Sequence, residues 1–213
     1  MDFAQLLQIV GNEPAFETGL LLAGNVDPAD VQRQLSRWTA AGRLCQLRRG
    51  LYSLAAPYQK VKAHPFAIAN ALVRGSYVSL QTALAHHSLI PEHTPVVASV
   101  TSGRPGRWET TMGVYEFRHV KIGWLHGYHQ LDLGAGQRAF VARPEKALLD
   151  LVYLQPGGDD LAYLTELRLQ NLDRLDLDRL IELARQNGSP KLHRAALRIV
   201  ALAQAESMEY ESL

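Results

Sequence analysis

The sequence predicts an α+β protein built in two parts, and three observations lead there. Helix-spaced and strand-like stretches succeed one another along the chain without a single dominant period. Basic residues gather between positions 28 and 62, whereas acidic residues gather beyond 145. The stretch Ala55-Ala56-Pro57 then reads as a linker between a short first region and a longer second one.

Composition narrows the class. The 213 residues are 47% hydrophobic and 20% charged, enough apolar material for a core, which excludes a disordered chain and a small disulfide scaffold. A lone Cys45 cannot form an internal disulfide or a cysteine zinc site, and it fits a reducing cytoplasm. The opening MDFAQLLQIV lacks a basic segment, and no window approaches the ~18 apolar residues of a bilayer span. Neither export nor membrane insertion is expected.

In the first region, Phe3, Leu6, Leu7 and Val10 have helical spacing and Gly11-Asn12 stops them. Phe16 to Ala23 reads as a short apolar helix closed by Gly24-Asn25. Asp27 can cap a third helix, Pro28 suits its first position and Asp30 its positive end, so this helix runs from about Pro28 to Ala41. Its core face is Val31, Leu35 and Trp38, and Gly42 ends it. Leu44 to Leu47 and Leu51 to Leu54 then read as a hairpin turned at Gly50. Three short helices followed by a hairpin with arginines at its tip is the order of a winged helix-turn-helix, which predicts such a domain over 1–57.

The second region, 63–213, reads as an α+β domain with a helical C-terminal tail at 161–205. Helical spacing occurs at Pro65 to Val73 and Leu80 to Ser88, and strand-like runs at Val96 to Thr101, Gly113 to Val120 and Gln137 to Ala142. Pro144 opens a helix that Pro156-Gly157-Gly158 ends. The tail holds a helix near Leu161 to Leu169, one capped by Asp176 and closed by Gly188, and one starting at Ser189-Pro190. LDRLDLDRL at 172–180 is too short for a structural repeat and reads as a helix junction.

The net charge of +1 is uninformative, but its distribution is not: 1–62, 63–144 and 145–213 carry +2, +3 and −4. Within 28–62 all seven basic residues of the first block face a single acid, Asp30, a local +6 of the kind a phosphate backbone selects. Arg33 and Arg37 lie one turn apart on the outer face of the third helix, beside Gln32 and Ser36, and offer donors to base edges or phosphates. Arg43, Arg48 and Arg49 on the hairpin and Lys60 and Lys62 in the linker extend the set. The rival reading is a solvated helix face and a charged turn that protects a strand edge; the scarcity of acids favours nucleic acid. Trp38 and Tyr52 read as core residues.

The residues offer little catalytic chemistry. GxxxxGK[ST], HExxH and GxSxG are absent. Gly134 to Ala139 matches GxGxxA, yet strand-like residues follow where a dinucleotide site needs a helix. His119, His126 and His129, with His86, His87 and His93, could ligate a metal, although ordinary hydrogen-bonded histidines are the stronger reading. Tyr77 and Ser79 imitate a catalytic pair, but Ser79 is more simply a helix cap. Glu145, Lys146 and Asp150 read as helix-end electrostatics, with Lys146 and Asp150 spaced i, i+4. No cofactor, metal or enzymatic activity is expected.

One set of motifs points to a family. L-x-R-W-x-x-x-G-x-L-x-x-L-x-R-G-L-Y over Leu35 to Tyr52 is followed by YVSLQTALAHHSLIPE at 77–92 and SVTSGRPGRWE at 99–109. YEFRHVK at 115–121 and ARPEKALLDLVYL at 142–154 complete it. In this order they resemble the AbiEi-type antitoxins, predicted transcriptional regulators of abortive-infection, or type IV, toxin-antitoxin systems. The resemblance covers roughly 35–155 and leaves the acidic tail outside. It implies an N-terminal winged helix that binds double-stranded DNA at its own promoter and represses its own operon. It also implies a C-terminal domain concerned with antitoxicity, and a nucleotidyltransferase-like toxin encoded nearby. A homodimer on paired half-sites is the usual arrangement for such readers. The competing expectations are a histidine-dependent metal-binding enzyme that processes nucleic acid through the 119–129 cluster, and a winged helix that binds protein.

Overall fold

The computed structural model describes residues 1–23, 26–91 and 95–211, with side chains as far as 206. It is a mixed α/β molecule with two sheets.

The first helix, α1 (Phe3–Val10), starts at a capping box in which Asp2 accepts from the Gln5 amide (2.8 Å) and the Gln5 side chain accepts from the Asp2 amide (2.9 Å). A short strand, β1 (Phe16–Glu17), and a 3-10 turn (Thr18–Leu22) follow. Next comes α2 (Pro28–Ala40), whose cap Asp27 accepts from the Ala29 amide at 2.9 Å. β2 (Leu44–Arg48) and β3 (Leu51–Leu54) form the hairpin, with Gly50 in the left-handed region at φ +77°. The sheet order is β1-β3-β2, antiparallel throughout.

The segment 16–23 departs from the helix its composition predicts. Phe16 pairs with Tyr52, and Glu17 with Leu51. Phe16 is buried with its ring stacked on that of Tyr52 at 6.0 Å, and the Thr18 amide donates to Gly50 O at 2.9 Å. Pairing with β3 and burial of Phe16 override the local composition, and only Thr18–Leu22 coil, as a 3-10 turn.

The linker is tied down rather than loose. It holds a 3-10 turn (Ala56–Tyr58), and the Gln59 side-chain amide donates to Leu54 O at 2.6 Å. Further on, Gln137 clamps the chain by donating to Lys62 O (2.9 Å) and accepting from the His64 amide (2.8 Å).

The second part runs α3 (Pro65–Leu72), β4 (Ser76–Val78), α4 (Leu80–His86), β5 (Val96–Thr101), β6 (Gly106–Thr110) and β7 (Gly113–His119). β8 (Tyr128–Asp132), β9 (Arg138–Ala142), α5 (Pro144–Leu154), α6 (Leu161–Glu166), α7 (Leu177–Asn187) and α8 (Pro190–Glu211) complete it. The six-stranded sheet has the order β6-β7-β5-β4-β9-β8 and mixes parallel with antiparallel pairs.

Three of these strands, β4, β6 and β8, have no counterpart in the sequence reading. β4 is buried at all three positions between β5 and β9, so it shows no alternation. β8 takes up Tyr128 and His129, which show no strand signal of their own in the sequence. The glycines of the GxGxxA match simply reverse β8 into β9, with φ of +78°, +51° and +78° at Gly134, Ala135 and Gly136 and no helix after them.

The tail is helical, as its caps predict: Asp176 accepts from the Arg179 amide at 2.9 Å and Gly188 closes α7 at φ +73°. The 172–180 junction is a 3-10 turn (Leu172–Arg174) leading into α7. Cations of α8 hold the far end of α5: Lys191 donates to Gln155 O, and Arg194 pairs with Asp159 at 2.8 Å. Lys191 thereby adds a charged donor at the negative end of α5, to a carbonyl that the Gly158 amide also meets at 3.0 Å.

Two apolar clusters result. The smaller contains Leu6, Val10, Phe16, Val31, Leu35, Trp38, Leu44 and Tyr52. The larger joins the six-stranded sheet to its helices and also takes in Leu47 and Leu51 from the hairpin. The hairpin therefore serves both cores, so a boundary at 57 divides the sequence more cleanly than it divides the packing. Among the described residues, no helix is long and apolar enough to cross a membrane.

Candidate nucleic-acid interface

The outer face of α2 is set by its inner one. Val31, Leu35 and Trp38 are buried at 2%, 0% and 8% exposure, and helical periodicity then turns Gln32, Arg33, Ser36 and Arg37 to solvent. Arg33 pairs with Asp30, both exposed, a surface contact of little energetic weight that an incoming phosphate could replace. Arg37 lies in the last turn, at the favourable end of the helix dipole.

Further cations of the same stretch of chain are also exposed. Arg43 is exposed with its guanidinium 5.0 Å from the centre of the Phe3 ring, and Phe3 meets Trp38 edge-on at 5.3 Å and Tyr58 at 4.9 Å. That aromatic staple ties α1, α2 and the linker together. Arg49 is exposed at the hairpin turn, and Lys60 and Lys62 are exposed beyond it.

Arg48 is the exception among the expected contacts. Its guanidinium turns back into the molecule, where it donates to Leu72 O (2.9 Å) and Arg49 O (3.2 Å) and pairs with Glu17 (3.3 Å). A β-bulge between Gln46 and Arg48 re-aims the strand at this point, a feature with no local signature in the sequence.

The structure also assembles a buried cluster that the sequence reading took apart. Lys146 and Asp150 are wholly enclosed, with Nζ 2.6 Å from Oδ1. The other carboxylate oxygen, Oδ2, accepts from the Tyr77 hydroxyl (2.9 Å) and the Ser79 hydroxyl (2.7 Å). The ammonium lies 3.6 Å from the centre of the Trp124 ring. Gly127 at φ +79° lets the lysine stem pass, because a Cβ there would sit 3.1 Å from it. Burial lowers the Lys146 pKa to about 8 despite the opposing pull of Asp150, and burial together with that carboxylate pushes Tyr77 far up.

Two expectations are corrected here. Ser79 precedes α4 but spends its hydroxyl on Asp150 instead of capping. Glu145 does lie in the first turn of α5 and Lys146 does pair with Asp150 at i, i+4, but all three are buried core groups; Glu145 is 3% exposed and accepts from the Asp176 amide at 3.0 Å. The i, i+4 spacing is visible in the sequence, whereas the packing that buries it is not.

No family model and no curated protein matches the chain.

Three of the histidines lie together: the His86 ring is 5.1 Å from that of His87, and the His87 ring is 6.5 Å from that of His129. His87 Nε2 is 2.8 Å from Ala142 O, His119 Nδ1 is 2.9 Å from Gly103 O, and His126 meets the Trp124 ring edge-on. His93 lies outside the described residues. Among those described, no group of three His, Cys, Asp or Glu side chains is placed to hold a metal. His64, His86, His87, His126 and His129 all have lowered pKa values, with burial the largest cause. The unfolded chain therefore binds more protons just below its histidine pKa of about 6.5, so stability falls as pH drops through that region. Urea midpoints across pH 7 to about 5 should decline, and His87→Gln should make the decline shallower. A flat profile would show that these rings do not govern acid sensitivity.

Proposed function

We propose that this protein is a DNA-binding transcriptional regulator that represses its own promoter and acts as the antitoxin of a type IV toxin-antitoxin pair. The observation that carries the DNA reading is the two-sided construction of α2. Val31, Leu35 and Trp38 anchor it, while Gln32, Arg33, Ser36 and Arg37 stand free of the core. Helix, strand, 3-10 turn, helix and basic hairpin succeed one another as in a winged helix-turn-helix, with α2 as the helix for the major groove. Arg43, Arg49, Lys60 and Lys62 are the phosphate contacts in this reading. Two copies on paired half-sites, a cytoplasmic location and a non-enzymatic role belong to the same proposal. The antitoxin role rests on the motif resemblance between 35 and 155, and its partner is a nucleotidyltransferase-like toxin encoded nearby.

The deciding experiment is fluorescence-anisotropy titration of the DNA upstream of the gene, against scrambled competitor, across a salt series. Preference for the upstream DNA with a log–log salt slope of about −4, as the phosphate contacts named above require, supports the regulator. Equal binding to scrambled DNA at every salt overturns it. Antitoxicity is read separately, as rescue of growth when the adjacent gene is induced.

A further inference from the structure

We infer that Arg48 is a positioning residue, the centre of a brace that fixes the angle of α2 against the larger part of the molecule, and not a phosphate contact. The consequence for DNA rests on the regulator reading above; the brace itself rests on geometry.

The bulge sends Leu47 into the larger core and turns the next side chain toward α3. There Arg48 Nε donates to the carbonyl of Leu72, the last residue of α3, at the negative end of that helix. Its NH2 reaches one oxygen of Glu17 at 3.3 Å, and the other oxygen of Glu17 holds Arg74 at 3.0 Å. One carboxylate on β1 thus sits between a guanidinium from the hairpin and another just beyond α3. The side chains of Arg48 and Glu17 are 31% and 36% exposed, so the contacts are partly shielded, whereas Arg74 is 78% exposed. β1 and β3 are paired, and the 3-10 turn after β1 packs on α2, so the brace reaches the reading helix through packed neighbours. Three of its five N–H donors, one on each nitrogen, are engaged in these protein contacts.

The two roles predict opposite signs. If Arg48 binds phosphate, Glu17→Gln frees it and removes a negative charge, so DNA binding tightens; Arg48→Lys keeps the charge and binds much as wild type. If Arg48 is a brace, Glu17→Gln weakens binding, and Arg48→Lys, which lacks the planar fork, weakens it by about fivefold with the wild-type salt slope. A second arm needs no DNA: amide hydrogen exchange of the hairpin, residues 44–54, should quicken by about tenfold in both variants. Weaker binding with quicker exchange supports the brace. Tighter binding by Glu17→Gln, or wild-type exchange in both variants, overturns it. Should wild type bind no DNA, the regulator reading falls, and the exchange rates alone decide the brace.

Discussion

Replacing Asp150 with alanine is expected to remove about 3–5 kcal/mol of stability, a large share of what holds an ordinary domain folded. The carboxylate has three partners, Lys146, Tyr77 and Ser79, and all of them are buried. Its loss strands an ammonium and two hydroxyls where water cannot reach them. A paired change distinguishes this account from a simple cavity. Lys146→Met/Asp150→Asn removes the charge while keeping an acceptor for Tyr77 and Ser79, so it should recover most of the loss in urea unfolding. If the double variant is no more stable than Asp150→Ala, the stranded charge is not the cause. The same pair has an alkaline signature. Lys146 titrates near 8 in the folded protein but at about 10.4 in the unfolded chain, so the unfolded state binds more protons between those values. Its contribution to stability therefore grows as pH rises from about 8 to 10. Above about 10, the raised pKa of Tyr77 acts the other way, because only the unfolded chain loses that proton. Lys146→Met should flatten the rising limb.

Arg33→Ala/Arg37→Ala is expected to weaken binding to the upstream DNA by at least about thirtyfold while moving the urea midpoint hardly at all. The two effects separate because both side chains are exposed and neither meets the core. Surface substitutions of this kind change stability by about 0.5 kcal/mol or less, whereas each base-edge contact supplies about 1 to 3 kcal/mol of discrimination. Removing Arg33 also releases Asp30 to repel the backbone. On the proposed reading, binding to scrambled DNA should fall less than binding to the upstream site, since Arg43, Arg49, Lys60 and Lys62 are there assigned to phosphate. Unchanged specific affinity in the double variant would remove α2 from the interface.

Much of the N-terminal arrangement was legible in the sequence. Asp27-Pro28 and Gly42 bound α2, and the spacing of Val31, Leu35 and Trp38 told its inner face from its outer one. Gly50 marked the hairpin turn. In the candidate site, exposure of Arg33, Arg37, Arg43 and Arg49 follows the same periodicity and turn logic. Arg48 does not, because the bulge that redirects it depends on where Leu47 finds a pocket, and that pocket belongs to a part of the chain far away in sequence. Lys146 and Asp150 carry surface-like chemistry at surface-like spacing; they are buried because β4 brings Tyr77 to them and the loop before β8 lays Trp124 over them.

By itself, then, the sequence determined the elements whose causes are local: α1, α2, the hairpin, α5 and the caps of α7. Capping groups, prolines at first helical positions and glycines at positive φ act within a few residues of themselves. Only the tertiary structure decided that Phe16–Glu17 is a strand, that β4, β6 and β8 exist, that Arg48 faces inward and that Lys146–Asp150 is sealed. Burial and strand pairing are set by whatever packs from elsewhere, and no window of neighbouring residues contains that information.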